Sequence, residues 1–427
     1  MGNFIVEGGI PLKGSIEPAG NKNEALPVLA AALLASDHVY LKNIPKIGDV
    51  ECMVQIMEAC GATAQWTSGH EITIHTNELR HADLPDDVCA KIRASVLFLA
   101  PFLIRCGRVR LPFPGGDRIG RRRIDTHLLG FEALGAKLKT SETHVEIWRD
   151  SRLRGTDILL DEASVTATEN IVMAAALAEG TTVINNAACE PHVQQLCHFL
   201  NTLGARITGI GSNVITIEGV DELQGGSHTV AADYLEVGSF IGLSVVTGGE
   251  LTITNAAPEY MRMILHQFRR MGIEVQINGS TIFVPQEQPL EIQPDLHSAQ
   301  IKIDDGPWPQ FPADMTSIAT VIATQTRGTV MIFEKMFESR LFFVDRLISM
   351  GANIILCDPH RAVVVGPSPL RGHRMSSPDI RAGMALLMAA LCAEGTSEIQ
   401  NIEQIDRGYE RLDERLATLG ARITRVM

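Results

Sequence analysis

The chain lacks any excess of positive charge. Its 427 residues carry 37 Lys and Arg against 50 Asp and Glu, a formal net charge of −13. That argues against a broad nucleic-acid surface or a polybasic membrane patch, and leaves room only for a local basic site. The eight cysteines, at 52, 60, 89, 106, 189, 197, 357 and 392, include no C-x-x-C pair. The common zinc and dithiol redox motifs are therefore absent. Several cysteines sit in apolar runs and read as small buried hydrophobes, reduced as in a cytosolic protein. The opening "MGNFIVEGGIPLKG" has no basic or apolar leader region, so no signal peptide is expected. Val6 stands where a myristoylation signal has Ser or Thr. No uninterrupted apolar run is long enough to span a bilayer. The expected location is the cytoplasm, with no nucleic-acid and no membrane partner.

Familiar catalytic signatures are missing too. There is no Walker A sequence and no Rossmann glycine fingerprint in its required context. There is no G-x-S-x-G elbow and no H-E-x-x-H. The 13 histidines do not cluster at metal-ligand spacing. His127 stands out by its place near a charged loop, and a structural role is the simpler reading for it.

What is present is repetition. A motif ending in glycine recurs as "EACGATA", "EALGAKL", "NTLGARI", "RRMGIEV", "ISMGANI" and "ATLGARI", with the glycines at 61, 135, 204, 272, 351 and 420. Each follows a stretch of helical periodicity and precedes alternating residues, as a glycine closing a helix before a strand would. A second motif keeps the same register: "SDHVYLKNI", "CGRVRLPFP", "EGTTVINNA", "GGELTITNA", "RGTVMIFEK" and "EGTSEIQNI". These read as strands after a turn. Before each lies an Ala/Leu/Met-rich helix, apolar on most faces and therefore expected to be buried. The fold class is α/β, with helix, strand, helix and hairpin repeated six times. Units of this length predict a closed globular arrangement rather than a solenoid.

The starts of the apolar helices carry polar residues. Counting back fourteen positions from the turn before each strand reaches Asn23, Arg93, Thr166, Leu235, Asp314 and Arg381. Asn, Thr and Asp suit a helix N-terminus as caps. Arginine does not, because the helix dipole disfavours a cation there. Arg93 and Arg381 make sense if an anion sits beside the free N–H groups.

Four stretches concentrate the chemistry. "PAGNKNEALP" places Lys22 and Asn23 at a helix entrance. "PGGDRIGRRRIDTHL" places Asp117 after two glycines, which read as a mobile loop, and then a run of arginines. "FPADMTS" carries Asp314, and "QIDRGYERLDERL" carries Arg407 at the head of the last helix. Singly, each has a plain alternative: a solvated lysine, an N-cap, a solvated arginine face, or i,i+4 ion pairs among Arg407, Glu410, Arg411, Asp413 and Arg415. Together they point to a polyanionic substrate held by guanidiniums, with two carboxylates as acid and base.

The chain resembles the enolpyruvyl transferases over essentially its whole length. The likeness rests on "GNKNEALPVLAAALLA", "RASVLFLAPFLIRCG", "PGGDRIGRRRIDTHL", "ATENIVMAAALAEGTTVINNA", "FPADMT", "FESRLFFVDRLISMGA", "DIRAGMALLMAAL" and "DRGYERLDERLATLGA". The resemblance implies a two-domain inside-out α/β barrel, with six copies of a βαβαββ-like unit, three per domain. One domain is then 22–230 and the other 1–21 with 231–427, with the active site in the cleft between them and the glycine-rich loop closing over it. The implied substrates are phosphoenolpyruvate and UDP-N-acetylglucosamine, and no metal or redox cofactor is implied. By matched motif, Lys22, Arg122 and Arg407 hold phosphoenolpyruvate, with Arg340 and Arg381 at its carboxylate. Asn23 and Arg93 approach the reacting centre. Asp314 takes the proton of the sugar hydroxyl, and Asp117 is the acid. Arg122, Arg123, Ile124, Asp125 and Thr126 line the uridine pocket. Ser164, Val165 and Thr166 approach the diphosphate, and Met336 adds a further substrate contact.

Five positions depart from the family pattern. Asp117 replaces the commonest residue, cysteine. Arg123 replaces a proline, Thr126 a leucine, Glu162 a lysine and Thr166 a glycine. The last four raise two alternatives: transfer to a different nucleotide or sugar acceptor, and a non-catalytic nucleotide-sugar-binding paralogue. Retention of Lys22, Asp117, Asp314 and Arg407 together weighs against the second. A carboxylic acid at 117 can donate a proton but has no sulfur to be alkylated by an epoxide. The protein is therefore expected to be insensitive to fosfomycin. Time-dependent inactivation of the purified protein by that epoxide would contradict this.

Overall fold

The Ala/Leu/Met-rich stretches fold as helices, and they are buried on nearly every side. In the computed structural model, which describes residues 2–76, 78–80, 82–117, 119–120 and 122–426, the chain divides into two compact units. One holds Gly20–Asp117 and Arg122–Ala231; the other holds the N-terminal stretch to Ala19, Ile119 and Gly120, and the chain from Ala232 onward. Each unit has its own hydrophobic core.

In the first unit the core is built on Lys22–Ala32, on the 3₁₀ turn Arg93–Phe98 running into the helix Leu99–Cys106, and on Val165–Ala175, which pack against one another. In the second, Tyr234–Val246, Thr316–Gln325 and Ile380–Cys392 do the same. Every residue from Ile380 to Leu391 is buried. A helix enclosed all round can be apolar all round, which is why these segments lack a polar stripe.

Among the described residues there are six sheets. In the first unit, the strand Val39–Lys42 pairs in parallel with Gly226–Thr229 and antiparallel with Glu71–His75, which in turn pairs with Thr63–Ser68. The same order of one parallel and two antiparallel pairings recurs around Thr181–Asn185. In the second unit it recurs around Glu250–Ile253, Gly328–Phe333 and Thr396–Gln400. The sheet on Arg108–Pro112 has three strands, with an isolated parallel bridge between Asp83 and Arg110 in the fourth position. Burial alternates along the strands, as in Glu71–His75, where Ile72 and Ile74 face the core. Among the described residues no helix is long and apolar enough to cross a membrane.

The recurring glycines close helices as the sequence indicates. Gly61, Gly135, Gly204, Gly272, Gly351 and Gly420 all have positive φ, from 72° to 107°. Around Gly204 the bonds form a Schellman motif: Gly204 N–H donates to Asn201 C=O at 3.1 Å and Ala205 N–H to Leu200 C=O at 3.0 Å. A Cβ on Gly204 would meet nothing within 4 Å, so only the backbone conformation at φ +106° demands glycine there. Gly204→Ala should accordingly lower stability by about 1–2 kcal/mol without disturbing packing. Urea denaturation with an unchanged m-value would check this.

Candidate active site

Helix starts collect the charged residues because the helix interiors are enclosed by the core. In the first unit, Lys22 opens the helix Lys22–Ala32, and the Asn21 side chain caps it by accepting from Asn23 N–H at 2.9 Å. Lys22 Nζ lies 2.8 Å from Asp49 Oδ2, and both side chains are almost fully buried. Asn23 is half-buried beside it. On the same first turn the buried Glu24 meets His228 Nε2 at 2.8 Å and accepts from Ala231 N–H at 3.2 Å. Burial raises the Glu24 carboxyl above its ordinary range, against the lowering effect of His228.

Arg93 begins its 3₁₀ turn, and its Nη2 donates to Arg123 C=O at 2.7 Å. Burial first, and then repulsion from Arg122, brings its guanidinium down to about 10. Ser164 caps the helix Val165–Ala175, and Thr166 is the second residue of that helix. Thr166 Oγ1 lies 3.0 Å from His127 Nε2, and His127 Nδ1 lies 2.9 Å from Asn170 Nδ2. Asn170 Oδ1 accepts from Ala100 N–H, which fixes its amide, so Nδ1 of His127 is the acceptor and Nε2 carries the proton. His127 therefore orients a helix start from inside the core, the structural role its sequence context favours.

The four departures near the expected nucleotide belong to one neighbourhood. Arg123 Nε donates to Asp125 Oδ2 at 3.0 Å, and its Nη2 to Asp161 Oδ2 at 3.3 Å. Thr126 Oγ1 donates to the other oxygen of Asp161 at 2.7 Å. Glu162 adds negative charge near Arg93 and Arg123. Ile124 precedes the helix Asp125–Ala133. The loop before it is more closely packed than its glycines imply. A Cβ on Gly115 would fall 1.7 Å from Ala90 C=O oxygen, and one on Gly116, at φ +99°, 2.9 Å from Arg93 Cβ. Both glycines thus have a packing reason, besides any freedom they give. Asp117 and Arg122, which follow, are half-buried. Arg118 and Arg121 lie outside the described residues.

In the second unit Asp314 is gripped from two sides. Its Oδ1 accepts from Arg340 Nη2 at 3.0 Å and its Oδ2 from Arg381 Nε at 3.1 Å. Asp314 stands in the turn Ala313–Met315 ahead of the helix Thr316–Gln325, and Arg381 is the second residue of Ile380–Cys392. Arg381 Nη1 donates to Tyr409 Oη at 3.1 Å, and Tyr409 Oη lies 3.1 Å from Ser239 Oγ. Burial opposes the charge on Arg381, but Tyr409, Asp314 and Asp233 outweigh it and keep the guanidinium firmly protonated. Arg340 also lies 3.7 Å from the wholly buried Glu334 and against the Phe337 ring. Burial lifts the Glu334 carboxyl to about 9, with Arg340 opposing and Asp305 adding to the rise.

Met336 is exposed on the turn after Glu334. Arg407 Nη1 donates to Gln404 Oε1 at 2.9 Å. The continuous helix that an i,i+4 ladder needs is interrupted here, and Arg411 pairs with Glu414 three residues on. Arg411 has φ +42° and separates the short helices Glu403–Asp406 and Leu412–Ala417. Arg415 instead reaches Glu236 at 2.6 Å and Glu17 C=O. The residues the sequence did not single out are Asp49, Asp161, Glu334 and Tyr409. Tyr409 lies inside the motif "DRGYERLDERLATLGA", two residues past Arg407, and that motif is the signal that points to it.

His127 has a consequence for acid stability. Burial first, and then Arg93, depresses its imidazole to about 3. The unfolded chain takes up that proton near pH 6.5 while the folded chain does not, so this contribution is full above about 6.5 and lost as pH falls. Between about pH 6.5 and pH 4 this group should cost about 1.4 kcal/mol of stability per pH unit. His127→Gln, though less stable at neutral pH, should show a slope shallower by that amount in urea titrations across the range.

Comparison with known proteins matches this architecture closely. Residues 6–416 match the family model described as EPSP synthase (3-phosphoshikimate 1-carboxyvinyltransferase). A UDP-N-acetylglucosamine 1-carboxyvinyltransferase from Bradyrhizobium diazoefficiens is 54% identical over 99% of this chain and 98% of its own length. One from Treponema denticola is 53% identical over 99% of both. Among solved structures, the enolpyruvyl transferase NikO from Streptomyces tendae superposes with a TM-score of 0.88 at 25% identity, covering 100% of this chain and 99% of that one. An EPSP synthase from Acinetobacter baumannii shares the fold, with a TM-score of 0.74 at 17% identity over 100% of both chains. The mixed α/β chain, with carboxylates and guanidiniums at its helix starts, belongs to the EPSP synthase family of enolpyruvyl transferases.

Proposed function

We infer that this chain transfers the enolpyruvyl group of phosphoenolpyruvate to the 3-hydroxyl of UDP-N-acetylglucosamine, with release of inorganic phosphate. Full-length identity above 50% to relatives of that name supports this acceptor. The observation that carries the chemistry is Asp314 held by Arg340 and Arg381 at the start of a buried helix. The six sheets are read as six copies of one βαβαββ-like unit, three in each half of an inside-out barrel pair. Their common order of pairing supports that reading.

The reaction is addition followed by elimination. Asp314 takes the proton of the sugar hydroxyl as its oxygen attacks C2 of phosphoenolpyruvate. Asp117 protonates C3, so that positive charge develops at C2 and a tetrahedral phosphoketal forms. Loss of a C3 proton and of phosphate then leaves the enol ether. Lys22, Arg122 and Arg407 hold the anionic donor. Asn23 and Arg93 approach the reacting centre. Arg340 and Arg381 are the natural cations for the donor's carboxylate. An arriving carboxylate competes with Asp314 for the same guanidiniums, which would turn Asp314 toward the hydroxyl. Residues 122–126, Ser164, Val165, Thr166 and Met336 serve the nucleotide and sugar.

The four departures do not require a different acceptor. Arg123 and Thr126 share Asp161, and Thr166 bonds His127, so three of the four satisfy one another or the core. Phosphate release should require both phosphoenolpyruvate and UDP-N-acetylglucosamine. Asp314→Asn should lower kcat by about 10²–10⁴ while UDP-N-acetylglucosamine still binds. Release with a different acceptor alone would overturn the assignment of substrate, and unchanged kcat in the Asn variant would overturn the role of Asp314.

A further inference from the structure

Beyond the opposite end of the helix that Lys22 opens, the first unit carries a second cluster of ligating side chains. Asp37, His38 and His75 each offer a donor atom, and the three atoms lie within 4.8 Å of one another. The backbone places them. His38 immediately precedes the strand Val39–Lys42, whose Val39 pairs with Ile74 of Glu71–His75. One step outward in that antiparallel register, His38 faces His75, and the two rings stack at 3.9 Å with 5° between planes. His38 Nδ1 lies 2.8 Å from Asp37 Oδ1, and Asp37 Oδ1 also accepts from His38 N–H at 2.7 Å. Gly226 N–H donates to His38 C=O at 3.1 Å and anchors the turn from the other side. Nδ1 of His75 is buried and has no hydrogen-bond partner among the described residues.

Comparison within the chain sharpens the case. At the position of Asp37 the other five strands of this kind follow or begin with a glycine: Gly107, Gly180, Gly249, Gly328 and Gly395. Where His38 faces His75, other sheets set Arg108 against Trp148, Thr181 against Glu218, Thr329 against Val365 and Thr396 against Glu7. Only the first copy has exchanged a turn glycine for a carboxylate and gathered two imidazoles beside it.

We propose that Asp37, His38 and His75 form a binding site for a divalent transition-metal ion of the zinc class. Two imidazoles and one carboxylate are a ligand set that such ions favour over magnesium or calcium. Tetrahedral ligation at about 2.0–2.1 Å needs donors roughly 3.3 Å apart, so modest side-chain rotation closes the present spacing. Rotation of the outer ring, His38, uncovers Nδ1 of His75. The exposed side leaves the fourth position to water. The site lies beyond the C-terminal end of the helix Lys22–Ala32, about 16 Å of helix away from Lys22. The ion would clip two neighbouring strands at that end and take no part in enolpyruvyl transfer.

Cobalt(II) is a suitable probe, because thiolate ligation gives it a strong near-ultraviolet charge-transfer band and nitrogen and oxygen ligation do not. The chelator-stripped full chain should bind one equivalent, with visible d–d bands and no thiolate band. The exposed substitution His38→Gln should weaken binding by at least about tenfold and keep phosphate release at the wild-type rate. His75→Gln should weaken it similarly. Three results would each overturn the proposal: no binding by the wild type, a thiolate band accounting for the bound metal, or undiminished affinity in His38→Gln.

Discussion

A helix enclosed on every side can place a charged side chain at little cost only near its ends, and three such helices form the centre of each unit. That constraint organises the rest. Interior positions of these helices are mostly Ala, Leu, Met, Ile and Val; polar exceptions such as Asn170, Ser239 and Thr320 are hydrogen-bonded within the core, and most of the charged groups stand in the first turn. The first turn also has backbone N–H groups without helical partners, which attract anions and acceptors. Lys22, Arg93, Thr166, Asp314 and Arg381 all occupy such turns. The fold thus supplies a set of similar positions at helix starts, filled by a different polar side chain in each.

Cations at helix starts are unfavourable by themselves, and the structure shows how they are tolerated. Lys22 has Asp49, and Arg381 has Asp314 with the Tyr409 hydroxyl. Arg340 has Asp314 and lies near Glu334. A buried charge that loses its only partner costs about 3–5 kcal/mol, so each of these cations is held beside a carboxylate. Asp314 is the shared member of one network, which lets a single carboxylate hold two guanidiniums from separate helices. An anionic substrate that enters such a network changes partners among charges already desolvated. It does not have to strip water from each cation afresh, and this favours preorganised charge at a reacting centre.

The local features of this arrangement were legible in the sequence, and the long-range ones were not. Glycine at the end of a helix leaves a signature within a few residues, so the turns at Gly61 through Gly420 could be read directly. The fourteen-residue count reached five helix starts at their second residue and Arg93 at its first, because strand and helix lengths repeat. The pairing of Asp314 with Arg381 spans 67 residues, and that of Thr126 with Asp161 spans 35. No periodicity encodes such contacts. The run of arginines at 407–415 shows a related limit: spacing of four implies one continuous helix, and the left-handed residue at Arg411 breaks it. The glycine pair before Asp117 was read for its freedom, whereas close approach to Ala90 and Arg93 is visible only in three dimensions.

The departures from the family pattern follow the same logic of shared partners. Read one at a time, Arg123, Thr126 and Thr166 look like changes to a binding pocket. In the fold, Arg123 and Thr126 each bond a different oxygen of Asp161, and Arg123 also bonds Asp125. Each residue's effect therefore depends on the others. Removing Arg123 alone leaves Asp125 and Asp161 as neighbouring carboxylates with less positive charge between them, and removing Thr126 leaves an oxygen of Asp161 without its hydroxyl donor. Substitutions of this kind are not additive, because residues in one hydrogen-bonded network couple. Residues that share partners in this way are expected to change as a set rather than singly.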